Sequence, residues 1–202
     1  MKTHQKPTRV LVTDADTPKA LAIVRAIGAE HEVWTAAESH IALAAWSRYA
    51  RKHAQYATQG EGFADWLLTL CKENDINVVI TPEEASSLLV ARAEAQFRKA
   101  GVNLTTPPLQ ALEIAMDKAR TVQCANEIGI LVPPTKILTS TRNAIEAAHE
   151  LGYPVVVKPR YSRYEVNGRF ISSDGVGYAN SDDQLLSLVK MLDPALPPPR
   201  LL

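Results

Sequence analysis

A lysine at the end of an apolar strand is the first feature of this sequence that could do chemistry. In the segment LGYPVVVKPR, three consecutive valines predict a strand buried on both faces, which ends at Lys158 and Pro159. Because an ammonium taken out of water needs a partner, Lys158 suits a ligand that brings its own negative charge, such as a polyphosphate. The alternative is a lysine whose ammonium reaches water past the edge of the sheet.

The composition indicates an ordinary globular chain. Of its 202 residues, 46% are hydrophobic and 22% are charged, and Lys plus Arg equal Asp plus Glu at 22 each. No net positive field therefore attracts nucleic acid or anionic lipid, and no apolar run is long enough for a signal peptide or a membrane span. Two cysteines are too few for a disulfide framework. We expect a cytoplasmic protein that binds neither nucleic acid nor membrane.

The order of elements in the first hundred residues predicts an α/β fold. Strands are predicted from Arg9, at HEVWTA and over Ile76 to Thr81, and each is followed by a segment with helical periodicity. This alternation is typical of a Rossmann-like parallel sheet with covering helices. The first turn, TDADTP, has no glycine and two carboxylates, so it is a poor dinucleotide site. Between Ser39 and Thr58 only a short helix near Ile41 to Trp46 is predicted.

The second half predicts a smaller α+β unit. Asp117 is the expected cap of a helix that ends at Gly129, and a strand and a further helix precede the valine strand. Asn167-Gly168 lies between two runs rich in aromatic and branched residues, which is a strong hairpin signal. We therefore expect one domain over residues 1–105, a helical linker over 106–132 and a second domain over 133–202.

Two segments of the second half together carry a family resemblance. MDKARTVQCANEIGILVPPTKIL, followed by a helix and then LGYPVVVKPR, resembles the ATP-grasp superfamily. The similarity is greatest to the branch with biotin carboxylase, the large chain of carbamoyl-phosphate synthetase and related carboxylate–amine ligases. It covers the chain from Arg9 to about Leu192. The resemblance implies a Rossmann-like pre-ATP-grasp domain followed by the smaller lid subdomain of the ATP-grasp fold.

The resemblance also implies roles for four basic residues. Lys118 and Lys158 match two cations that hold ATP phosphates, although Lys118 alone could be read as an exposed lysine at a helix start. Arg160 and Arg163 stand where related enzymes carry a short glycine-rich loop. They either supply phosphate contacts of their own, or they belong to a hairpin that is only a structural edge.

Glu83 is a weaker candidate, for the substrate crevice. It follows a strand of the first domain, and ligands of open α/β sheets bind at the carboxyl ends of strands. The alternative is that Glu83 is a plain charge in a capping box over Thr81 to Glu84.

The resemblance implies an ATP-dependent ligase that uses ATP, Mg²⁺ and a small carboxylate. In that class the carboxylate forms an acyl phosphate, which an amine or similar nucleophile displaces. The segments for adenine and Mg²⁺ are expected beyond Leu202, so we expect the N-terminal portion of a longer enzyme, inert or weakly nucleotide-binding by itself. Two alternatives stay open: a non-catalytic nucleotide-sensing or interaction module of the same fold, and a Rossmann-like small-molecule binder with an appendage. The sequence also leaves homo-oligomerisation open.

Overall fold

The computed structural model describes residues 8–138, 140–173, 175–191 and 200–201, which form two compact units. The first unit runs to Leu112 and includes the segment Glu165–Phe170, and the second contains Glu113–Tyr164 and the residues from Ile171 onward. The division at Leu112 falls within helix α5 (Leu109–Met116). That helix lies in the stretch expected to be a linker, and the domain boundaries at 105 and 132 stay predictions.

The first unit contains a five-stranded parallel sheet with strand order β3-β2-β1-β4-β5. Its strands are β1 (Arg9–Val12), β2 (Glu32–Ala37), β3 (Ala50–Gln55), β4 (Val78–Ile80) and β5 (Asn103–Leu104). Its helices are α1 (Pro18–Ile27), α2 (Phe63–Glu73), α3 (Glu84–Arg92) and α4 (Glu94–Lys99). The predicted Rossmann-like fold class is confirmed.

Both faces of this sheet are covered, because neighbouring residues of a strand point to opposite faces. Leu11 packs in one apolar cluster with Phe63 and Leu67 of α2. Val10 and Val12 pack in a second cluster with Val24 of α1. The central strand β1 is therefore almost entirely excluded from water, as a parallel strand between helical layers should be.

Two helix starts are predicted from local signals in the first unit, at Thr17 followed by Pro18 and at the capping box over Thr81 to Glu84. The first prediction is confirmed and the second is wrong. The Thr17 hydroxyl accepts a hydrogen bond from the Ala20 N–H, and Pro18 occupies the first turn of α1. The capping box predicted over Thr81 to Glu84 is absent. The Thr81 hydroxyl bonds that of Ser87 instead, 3.0 Å away, and α3 begins only at Glu84.

The second unit contains a four-stranded sheet of order β10-β7-β11-β6. Its strands are β6 (Ile137–Leu138), β7 (Val155–Pro159), β10 (Gly177–Ala179) and β11 (Arg200–Leu201), and the pairs between them are antiparallel. Its helices are α6 (Lys118–Glu127), α7 (Thr141–Leu151) and α8 (Asp182–Met191). The proline-rich stretch before β11 lies outside the described residues.

The predicted hairpin is present as β8 (Arg163–Val166) and β9 (Arg169–Ser172). Asn167 and Gly168 connect the strands with φ angles of 50° and 73°. Two successive residues with positive φ match the turn type that favours Asn-Gly. This local prediction is therefore confirmed.

Candidate functional site

Lys158 lies on the open face of the second sheet. Val155 and Val157 are buried in the apolar cluster with α7 and α8, whereas Val156 and Lys158 point to the opposite face. The expectation that the valine strand is buried on both faces is therefore wrong. Helices α7 and α8 pack on one face, and the other face lines a cavity in the part of the chain that the structure describes.

That cavity brings Lys158 together with Lys118. Its volume is about 620 Å³, within the usual range for small-molecule sites. Lys118 and Val122 of α6 line one wall, Val156 and Lys158 of β7 line another, and Pro133 and Pro134 lie between these elements in the sequence. Two cations that stand 40 positions apart in the chain thus line a single recess.

Lys118 is the first residue of α6 and follows a buried cap. The Asp117 carboxylate accepts hydrogen bonds from the backbone N–H groups of Ala119 (3.0 Å) and Arg120 (3.3 Å), as the sequence predicted. The Lys118 ammonium donates to the Ser162 hydroxyl over 3.0 Å. An anion in the cavity would therefore meet this ammonium close to the amino end of a helix, where backbone dipoles also favour negative charge.

Arg160 is paired with Asp117. The guanidinium donates from Nε over 2.7 Å and from a terminal nitrogen over 2.6 Å to the two carboxylate oxygens. The Tyr161 hydroxyl donates to the same carboxylate over 3.0 Å. Burial opposes ionisation of Asp117, but the hydrogen bonds from Arg160, from the Arg120 backbone and from Tyr161 outweigh it and lower its pKa to about 2. Asp117 is therefore a carboxylate held firmly in its charged form.

The sequence did not identify this pair. It gave Asp117 only the role of a helix cap and Arg160 the role of a phosphate ligand. The two residues are 43 positions apart, and a capping aspartate has the same sequence signature whether or not an arginine reaches it. The described residues that line the cavity include neither Arg160 nor Arg163.

The remaining two predicted residues are not among the described residues that line this cavity. Arg163 is the half-buried first residue of β8. Glu83 precedes α3 in the first unit, where its carboxylate is 2.7 Å from the Lys19 ammonium, and it contributes no side-chain cap to the helix. It follows β4, at the carboxyl edge of the parallel sheet.

One of the two carboxylates of the TDADTP turn, Asp14, lies at the same sheet edge as Glu83. Asp14 is 4% exposed and has a φ of 54°. Its carboxylate accepts hydrogen bonds from the hydroxyls of Thr13 (2.7 Å) and Ser86 (2.6 Å) and from the Gln59 amide. Burial raises its pKa despite these bonds. The Asp14 carboxylate is therefore held in place by hydrogen bonds from other residues of the first unit.

Two classes of feature are not found in the described part of the chain. No three His, Cys, Asp or Glu side chains among the described residues lie together in a way that could hold a metal ion. No described helix combines the length and the apolar character needed to cross a membrane.

The sequence is similar to two enzymes of different kinds, in each case over less than half of the chain. No family model matches the chain. A D-alanine–D-alanine ligase of Pseudomonas entomophila (strain L48) is 33% identical over 90 residues, which are 45% of this chain and 26% of the ligase. An arginine-specific carbamoyl phosphate synthase large chain of Geobacillus stearothermophilus is 30% identical over 95 residues, 46% of this chain and 8% of that protein.

Solved structures extend the comparison over nearly the whole chain. N5-carboxyaminoimidazole synthetase from Staphylococcus aureus has a TM-score of 0.66 at 16% identity, covering 97% of this chain and 46% of the synthetase. The biotin carboxylase domain of Hydrogenobacter thermophilus 2-oxoglutarate carboxylase, solved with MgADP, ADP and bicarbonate, has a TM-score of 0.64 at 19% identity. It covers 93% of this chain and 41% of that domain. At such identities these likenesses concern the fold.

These relatives and structural neighbours are all ATP-grasp enzymes. The chain is similar to these enzymes in sequence over less than half of its length and in fold over nearly all of it, so the resemblance to the ATP-grasp superfamily is confirmed. It spans less than half the length of the synthetase, about a quarter of the D-alanine–D-alanine ligase and about a tenth of the carbamoyl phosphate synthase chain.

Proposed function

We propose that this chain is the N-terminal portion of an ATP-dependent carboxylate–amine ligase, in which Lys118 and Lys158 hold the phosphates of ATP. The observation that carries the proposal is that both lysines line one cavity of about 620 Å³. The similarity in sequence to ATP-grasp ligases supports it, because the resemblance of the two lysine segments to that superfamily implies that both lysines contact phosphate.

The charges and dipoles of the cavity suit phosphoryl transfer. That reaction depends mostly on positioning and on neutralising the charge of the transferred group. Ammonium groups are compact point charges that suit phosphate oxygens, and the dipole of α6 adds a positive field at the helix end that carries Lys118. Val122 and Val156 give the recess an apolar portion, which lowers the local dielectric constant and strengthens these interactions.

The proposed reaction has two steps. A carboxylate oxygen of the substrate attacks the γ-phosphorus of ATP, the bond to the β,γ-bridging oxygen breaks, and ADP leaves. An amine then attacks the acyl carbon, loses a proton and expels inorganic phosphate. Lys118 and Lys158 would neutralise phosphate charge in the first step.

Mg²⁺ would add further charge neutralisation at the phosphates. The described residues contain no cluster of acidic or histidine side chains that fits a metal ion. We therefore assign no magnesium ligand in this chain.

We further propose that the chain by itself binds nucleotide weakly. It covers 46% of the synthetase that shares its fold, so a second set of nucleotide contacts would come from a longer protein. The apolar surface after α6 supports this view, because α6 has no buried residue and the side chains of Ile128, Ile130 and Leu131 are 68%, 55% and 99% exposed. A reading frame that stops directly after Leu202 would argue against a longer protein.

Two weaker roles complete the proposal. Arg163 would contact phosphate from the hairpin that stands in place of a glycine-rich loop. Glu83 would line a crevice for the carboxylate or amine substrate, a role supported by its position at the carboxyl edge of the parallel sheet. Its ion pair with Lys19 means that a substrate amine would have to replace that lysine.

Titration with MgADP tests the phosphate site. We expect the 202-residue chain to bind MgADP with a dissociation constant well above the micromolar range, measured by calorimetry and by ³¹P NMR. Because a hydrogen bond to a charged group contributes about 1.5–3 kcal/mol, Lys118→Met and Lys158→Met should each weaken binding roughly 10- to 100-fold. Lys99→Met is the matched control, since Lys99 ends α4 in the first unit, and it should leave binding unchanged.

Two results would contradict the proposal. Unchanged MgADP binding in both lysine variants would remove the phosphate site. Micromolar affinity or measurable ATP turnover by the 202-residue chain would instead contradict the view that half of the nucleotide contacts lie elsewhere.

A further inference from the structure

We infer that Asp117 and Arg160 form a positioning device that fixes the Lys118 ammonium relative to Lys158. The inference rests on the proposed function, because it explains how two lysines distant in sequence are held at one phosphate site. It gives Arg160 a role different from direct phosphate contact, and it makes Asp117 more than a helix cap.

The first link is the side-chain pair itself. Arg160 donates two hydrogen bonds, over 2.7 and 2.6 Å, to the two oxygens of a carboxylate that is 2% exposed. Two parallel bonds between a planar guanidinium and a planar carboxylate fix orientation as well as distance. Tyr161 adds a third donor over 3.0 Å. The start of α6 is thus fastened to the segment that follows β7.

The second link runs through the backbone. The Lys118 N–H donates to the Arg160 carbonyl over 3.1 Å, and the Lys118 ammonium donates to the Ser162 hydroxyl over 3.0 Å. As the first residue of α6, Lys118 has an N–H with no acceptor inside its own helix, so the Arg160 carbonyl satisfies it. Lys158 is two residues before Arg160, across Pro159, whose ring restricts the backbone between them.

The charge arrangement explains why Arg160 acts indirectly. The edge formed by its Nε and one terminal nitrogen already binds Asp117, and Arg160 is not among the described residues that line the cavity. To turn that edge toward a ligand would leave a buried carboxylate without its main partner, which is strongly unfavourable. The lysines therefore remain the groups that meet the phosphates, and the pair sets their separation.

The test uses variants of the 202-residue chain that separate the helix cap from the pair. Asp117→Ser keeps a good capping hydroxyl but removes the carboxylate, and Arg160→Met removes the guanidinium. Arg9→Met is the matched control, because Arg9 also forms a two-bond pair, with Glu32 in the first unit. Circular dichroism establishes that each variant is folded. The two readouts are hydrogen exchange of the Lys118 amide and the affinity for MgADP.

We expect Asp117→Ser and Arg160→Met to speed exchange of the Lys118 amide by about 10-fold or more and to weaken MgADP binding by a similar factor, since weaker positioning costs ligand contacts. Arg160→Lys, which keeps the charge without the two-bond geometry, should fall between Arg160→Met and the unaltered chain. The double variant Lys118→Met/Arg160→Met should bind no more weakly than Lys118→Met, because Arg160 acts through that lysine. Arg9→Met should change neither readout.

Three outcomes would overturn the inference. Additive losses in the double variant would mean that Arg160 contacts the nucleotide itself. If the Lys118 amide stays protected from exchange in Arg160→Met, the pair does not hold the start of α6. If that protection is lost while MgADP binding is intact, the position of Lys118 does not affect nucleotide binding. Unchanged binding in both Lys118→Met and Lys158→Met is a different result, which refutes the phosphate site and leaves amide exchange to decide whether the pair holds Lys118.

Discussion

The substitution Asp117→Ala should destabilise the second unit in a pH-dependent way. The pKa of this carboxyl falls from 3.8 to about 2 on folding, a difference of about 1.8 pH units. At about 1.4 kcal/mol for each pH unit, the charged form contributes about 2.5 kcal/mol of stability at neutral pH. Alanine also leaves the mostly buried Arg160 guanidinium, 24% exposed, without its partner. We therefore expect a total loss of about 3 kcal/mol.

The sign of the pH dependence follows from the lowered pKa. A carboxyl whose folded pKa lies below its unfolded value stabilises the fold above the unfolded pKa, and this contribution is lost as the pH falls through the folded pKa. The difference between the unaltered chain and Asp117→Ala should thus be constant above about pH 5. At pH 3 only about half of the contribution from charge should remain.

Urea unfolding can isolate the unit that carries Asp117. All three tryptophans, Trp34, Trp46 and Trp66, lie in the first unit. Their fluorescence therefore serves as an internal control that should not respond to the substitution, while hydrogen exchange of α7 follows the second unit. Two results would refute the reasoning. The free energy of unfolding could differ between the unaltered chain and Asp117→Ala by less than 1 kcal/mol at pH 7, or this difference could stay the same from pH 6 to pH 3.

Two further predictions concern groups in other parts of the molecule. Burial raises the pKa of Asp14, so Asp14→Asn should leave the first unit as stable as before or more stable at pH 7. Any gain in stability should disappear as the pH falls below 3.8, because the Asp14 carboxyl is then protonated in both the folded and the unfolded chain. Asparagine also tolerates the positive φ there, and a loss above about 1 kcal/mol by tryptophan fluorescence would contradict this. Cys124 is exposed, whereas burial raises the pKa of the Cys71 thiol to about 12, so a thiol reagent at pH 8 should modify Cys124 at least about 100-fold faster. Equal rates in the folded chain would contradict it.

The elements that depend on local chemistry could be predicted from the sequence. Thr17 and Asp117 cap the helices that follow them, and Asn167-Gly168 forms the expected hairpin turn. Each of these signals acts within about four residues, so the side chain and the backbone groups it satisfies are adjacent in the printed chain.

Strand β3 shows where local reasoning failed. Its sequence, ARKHAQ, has three basic or titratable residues in the middle and no apolar alternation, so it was not predicted. It is an edge strand of the parallel sheet and pairs only with β2 among the described strands. Charged side chains are usual on such edges, where they discourage pairing with other chains, and they remove the periodicity by which strands are recognised.

The sequence by itself determined the class of fold and two lysines worth testing, because alternating apolar segments and short motifs can be recognised directly in the order of residues. Only the tertiary structure decided that Lys118 and Lys158 line one cavity, that a single face of the valine strand is buried, and that Arg160 binds Asp117. Such facts depend on which distant segments pack together. The summed burial of the whole core selects that packing, and a pattern within a few residues carries no information about it.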